Sequence, residues 1–176
     1  MTRMKPLILL CLAATLSGCA TYSREECDSG NWDRIGIKDG EDGRLPDKFK
    51  QHAKACKLER SEANQSIYLA GRAKGLASYC TSARGYREGA LGQTYLGTCP
   101  ANLEAEFQKG YKTGKRMQEA ESRQSDIADA LRAASTPQEM QRLAAEDAKI
   151  KQEIQTLRAQ GDELVRNSRK KTSKKN

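Results

Sequence analysis

Apolar residues keep three different rhythms along this chain. The first is a single run, "PLILLCLAATL" at 6–16, and at about ten residues it falls short of the ~20 that a bilayer core requires. From Trp32 onward the pattern becomes an aromatic followed by small residues three or four apart. Trp32 precedes Gly36, Gly40 and Gly43, Tyr68 precedes Gly71 and Gly75, and Phe107 precedes Gly110 and Gly114. Glycines four apart line one face of a helix, where the missing Cβ atoms let a second backbone come close. Such packing offsets the ~1 kcal/mol that each mid-helix glycine costs against alanine. Short helices are therefore expected at 32–43, 68–79 and 107–114. Between Gly85 and Gly97, in "GYREGALGQTYLG" with Tyr86, Gly89, Gly92 and Tyr95, the glycine density predicts turns instead.

The third rhythm begins at Leu103. Met117, Ala120, Ile127, Leu131 and Ala134 fall on three-and-four spacing interrupted by Gln124. In "STPQE", Thr136 as N-cap, Pro137 at the first helical position and Glu139 at the third open a new helix. Met140, Leu143, Ile150, Ile154, Leu157 and Leu164 then keep a heptad rhythm broken at Asp147 and Gly161. Two helices of ~30 residues, each ~45 Å long, joined by so short a turn fold back as an antiparallel, coiled-coil-like hairpin over 103–165. Its apolar seam is thin, so it is expected to pack on the preceding domain or to pair with a protein partner or a second copy; a solvated arm is the plain alternative. The expected fold is mainly α: a small glycine-rich helical domain stapled by disulfides, this hairpin, and a disordered basic tail over 166–176.

Composition changes that picture in one respect. Hydrophobic residues make up 37% of the chain and aromatics 5%, so a thick core is not available and covalent help is expected. Cys11 lies in the leader, and Cys19 follows it. Arg3 and Lys5 precede the apolar run, no acid appears before Glu25, and Ser17 and Gly18 close the segment, which is the layout of a cleaved secretory leader, 1–18. Leu16-Ser17-Gly18-Cys19 resembles the lipobox of bacterial lipoproteins. The resemblance implies cleavage before Cys19, a diacylglyceryl group on its sulfur and an acyl group on the new amino terminus. Three chains exceed the two signals that stable anchoring needs, and residues 19–26 become a lipidated linker. The plain alternative is an ordinary leader followed by a chance cysteine. Ala20 stands where lipoproteins retained in the inner membrane usually carry Asp, so the family analogy implies an outer-membrane anchor facing the periplasm.

Cys27, Cys56, Cys80 and Cys99 remain, an even number in an exported chain, which reads as two disulfides. Three connectivities exist. Cys27–Cys56 with Cys80–Cys99 is favoured, because local pairing staples each half of a domain spanning 27–115 and closes loops worth ~3 kcal/mol each. No CxxC accompanies the single histidine, so no metal ligands are nominated. His52, in "FKQHAKAC", is expected to be an exposed or capping helical residue. "KDGEDG" gathers Asp39, Glu41 and Asp42 without the register of a calcium loop. HExxH and GxSxG are absent, and the expectation is a non-enzyme with no catalytic residue and no cofactor.

Charge is concentrated at one end. Lys and Arg number 31 against 23 Asp and Glu, a net +8. Arg3 and Lys5 belong to the leader, and Arg166, Arg169, Lys170, Lys171, Lys174 and Lys175 crowd the tail without an acid, so the body between is near neutral. An exported chain directs such a tail away from nucleic acid and toward peptidoglycan, lipopolysaccharide or anionic lipid.

In order, a cysteine, W-x3-G-x3-G-x2-G, "QHAKAC", "YLAGRAKGLASYC", "GYREGALGQTYLGTCP" and "LEAEFQKGYKTGK" resemble the family of bacterial lipoproteins known as domain of unknown function 2799, over roughly 27–115. The resemblance implies an envelope lipoprotein with paired cysteines, and it assigns no activity to any residue. The functional expectation is a structural or interaction role in the envelope. The alternative is a glycan or small-ligand module in which Trp32, Tyr68, Tyr86, Tyr95 and Tyr111 line a groove; an envelope hydrolase ranks last.

Overall fold

In the computed structural model residues 30–57 and 62–173 are described, and they form six helices. The leader, Cys19, Cys27, Lys174 and Lys175 lie outside the described residues. Helix α1 (Trp32–Glu41) starts where the Asn31 side chain accepts from the Arg34 amide. It stops where Gly43 takes φ +69°: the Gly43 N–H donates to the Gly40 carbonyl and the Arg44 N–H to that of Asp39, a left-handed glycine cap. Helix α2 (Lys48–Ala55) follows, then α3 (Glu62–Tyr79).

Helix α4 (Ser82–Ala90) occupies the stretch where turns were expected. Gly85 and Gly89 are buried there against the backbone of α5 (Ala101–Ala133), which repays their intrinsic cost. The termination of α4 repeats that of α1, 49 positions on. Gly92, again at φ +69°, donates to Gly89, and Gln93 donates to Glu88.

The duplication extends to the packing. Gly71 faces the Asp33 carbonyl and Gly75 that of Ile37, so α1 and α3 run parallel with their backbones in contact. Gly110 faces the Ser82 carbonyl and Gly114 that of Tyr86, which makes α4 and α5 a second parallel pair. A Cβ on any of these glycines would sit inside van der Waals contact of a carbonyl. The body is thus two copies of one helix pair, with Tyr68 and Phe107 at equivalent places and α2 added to the first.

Trp32, Ile35, Phe49 and Tyr68 fill the first copy; Leu76 and Tyr79, from the end of α3, pack with Phe107 of the second copy and the Cys80–Cys99 disulfide in another cluster. Cys56 is disulfide-bonded as well, while its expected partner Cys27 is outside the described residues.

Helix α6 (Pro137–Ser173) opens as anticipated, with Thr136 Oγ1 accepting from the Glu139 amide at 3.2 Å. It runs antiparallel to α5, since Arg123 pairs with Glu153, Glu121 with Arg158 and Glu106 with Lys171. Met117, Ala120, Ile150, Ile154 and Leu157 form the seam. The heptad break at Gly161 has a cause, because the Tyr86 ring of α4 fills that space. The basic segment expected to be disordered is helical through Ser173. Leu164 is buried, Ser168 Oγ meets Ser82 Oγ at 3.1 Å, and Lys171 pairs with Glu106 at 3.0 Å, tying this end of α6 to the body.

Candidate functional site

Two features of the described residues carry chemistry beyond packing: a buried polar cluster in the first helix pair and the charged surface of the hairpin. Asp39 on α1 is buried, and its Oδ2 accepts from the Tyr68 hydroxyl of α3 at 2.7 Å and contacts His52 Nε2 of α2 at 2.7 Å. His52, expected on the surface, is 1% exposed. The reason is that Phe49, three residues earlier, wedges between the Trp32 and Tyr68 rings at 5.3 Å from each, which turns that face of α2 inward.

Burial pushes the Asp39 carboxyl up, but hydrogen bonds from His52 and Tyr68, with the nearby charges of His52 and Lys48, outweigh it and leave its pKa below the ordinary value. Asp39 is therefore an ionised carboxylate clamped by two donors, a clip that fixes α2 to the α1–α3 pair. With His52 and Tyr68 enclosed, its present role is structural.

Arg72 lies one turn beyond Tyr68. Its Nε donates to the Arg44 carbonyl and a terminal nitrogen donates to Thr98 Oγ1, each at 2.7 Å. Burial lowers the guanidinium pKa, with Tyr68, Asp39 and Asp47 opposing. Thr98 belongs to the second copy, so this buried cation joins the two. In the second copy the equivalent Tyr111 hydroxyl donates to the Gln93 carbonyl at 2.7 Å, the counterpart of Arg44. Tyr95 lies between Phe107 and Tyr111 and donates from its hydroxyl to Glu104. Burial first, then that hydrogen bond, pushes its pKa up to about 12.

The structure places the sequence candidates as follows. Cys80 and Cys99 are joined, and Arg166, Arg169, Lys170 and Lys171 lie on the last turns of α6. Lys171 is engaged by Glu106, whose own pKa is held below the ordinary value by hydrogen bonds to Lys171 and Ser82, against the opposing effect of burial. Trp32 and Tyr68 are core residues, while Tyr86, Tyr95 and Tyr111 are half-buried. Asp39 belongs to the buried clip, whereas Glu41 and Asp42 are exposed; among the described residues no group of three His, Cys, Asp or Glu is placed to hold a metal ion. Sequence reasoning missed the Asp39–His52–Tyr68 cluster and the Arg72 bridge. The signal available for the bridge was the shared glycine register, which sets Arg72 opposite Tyr111.

Residues 31–116 match the model of a family described as protein of unknown function (DUF2799). The chain belongs to that family. The DUF2799 match covers both glycine-packed pairs and ends where α5 leaves α4 to enter the hairpin. No curated protein and no solved structure matches the chain. Among the described residues no helix is long and apolar enough to cross a membrane.

Proposed function

We propose that the protein is an envelope lipoprotein with a structural or interaction role, held by acyl chains on Cys19 to the outer membrane and facing the periplasm. The DUF2799 body stands beside the membrane and the α5–α6 hairpin is the part offered to other envelope components. The observation that carries this reading is the oxidised body. Cys80–Cys99 lies in the core and Cys56 is also bonded, which is the cysteine chemistry of an oxidising compartment. The lipobox-like Leu16-Ser17-Gly18-Cys19 supplies the attachment point. The reading is tested by growing cells with labelled palmitate. Label on the chain that disappears with Cys19→Ser is the expected result; an unlabelled chain, or one recovered from cytosol with reduced thiols, overturns it.

A further inference from the structure

The cations of the hairpin fall into two groups. Arg123, Arg132, Arg142, Lys151 and Arg158 are each paired with an acid. Lys109, Lys112, Arg116, Lys149, Arg166 and Lys170 are exposed, and none takes part in an ion pair of the described residues.

Helix geometry gathers those six onto one side. Arg116 and Lys149 line the same shallow groove between α5 and α6, together with Gln152 and Gln160. At 3.6 residues per turn, Lys109 and Lys112 lie below Arg116 on that side of α5; Lys170 is about five turns on from Gln152, and Arg166 a turn before it, on that side of α6. Arg166, about 100° round from Lys149, marks the edge of that side, and Arg169, about 60° further round, belongs to another flank. Glu119 and Glu163 share the cationic side, and Glu153 at the groove is taken by Arg123. From Lys149 to Lys170 the strip runs about 30 Å, with no exposed large apolar residue on it.

Cations in excess of the carboxylates Glu119 and Glu163 on one side cost the fold repulsion that a surface of opposite sign removes. We infer that this strip, built by α5 and α6 together, is a docking face for the phosphate-bearing surface of an anionic lipid membrane. A straight strip about 30 Å long meets a plane of phosphates along its whole length, and with no exposed large apolar side chain on it the contact is adsorption without insertion. The inference deepens the envelope reading by naming the partner of the hairpin. It also moves the contact from a tail to a folded face that includes Lys109, Lys112 and Arg116.

The test uses the full chain with Cys19→Ser, so that binding does not depend on acylation. It is centrifuged with phosphatidylcholine vesicles with and without phosphatidylglycerol. Binding only to the anionic vesicles, lost as salt shortens the screening length from about 10 Å at 0.1 M to about 3 Å at 1 M, is expected. Each cation removed weakens binding about fivefold, so K109Q/K112Q/R116Q loses about a hundredfold. R123Q/R132Q/R142Q, an equal change of net charge among the paired cations, stays within about threefold. Circular dichroism checks that both variants keep their helices. Equal losses in the two variants, undiminished binding by the first, or retention on peptidoglycan sacculi without binding to vesicles overturns the inference. Vesicle binding without palmitate labelling in cells refutes the anchor alone; labelling without vesicle binding refutes the docking face alone.

Discussion

The two helix pairs of the body share a frame and differ in what they put inside it. Both terminate their first helix on a glycine at φ +69° and bring glycines four apart against the partner backbone. Both send one side chain of the second helix back to the loop carbonyl after that cap, Arg72 to Arg44 and Tyr111 to Gln93. At the remaining equivalent places they diverge. Asp39 and Tyr68 meet in the first pair, where the second has Glu88, paired with Arg84, and Phe107, stacked on Tyr79 and Tyr111. The first pair also received α2, held by the carboxylate–imidazole contact and by Phe49 between the Trp32 and Tyr68 rings. Backbone contact is therefore the invariant of this architecture; the polar or aromatic filling varies with what each pair must additionally carry.

Perturbing the shared frame should hurt both copies alike and most severely. Gly75→Val and its counterpart Gly114→Val each force a side chain into a facing carbonyl, and each is expected to cost about 3 kcal/mol or more in denaturant unfolding; a mild effect in one pair would break the equivalence. Removing the Cys80–Cys99 crosslink with paired serines should cost about 3 kcal/mol by the same measurement. Asp39→Asn withdraws the charge that two buried donors share and should cost about 2 kcal/mol, with faster amide exchange over α2, whereas Glu88→Gln should cost less than about 1. Tyr68→Phe, which copies the second pair into the first, should cost about 1 kcal/mol.

The smallest effect is in pH dependence, and it has opposite signs in the two pairs. The Asp39 carboxyl is depressed, so its contribution is present above the ordinary carboxylate value and lost as pH falls below ~4. Tyr95 is raised to about 12, so its contribution is present below ~10 and lost as pH climbs from there to about 12. Hydrogen exchange should show the first pair loosening in acid and the second in alkali.

Much of this was legible wherever the determinant is local. The glycine spacing located α1, α3 and the start of α5, the Thr136 cap located α6, and the interrupted heptad gave the antiparallel hairpin. Glycine density in α4 misled because its compensation is a backbone that arrives from twenty residues later, at Phe107 and Tyr111. His52 looked superficial because its partners Asp39 and Tyr68 sit on different helices. The tail looked unstructured because propensity and charge were read without Ser82 and Glu106, which receive Ser168 and Lys171.

Helix α5 is 33 residues without a break, and it is at once the glycine-bearing partner of α4 and one strut of the hairpin. No joint separates the two roles. A load applied at the tip near Ala134 must reach Gly114 and Gly110, and through Phe107 the disulfide-locked centre, as torque on a lever rather than as flexing of a tether.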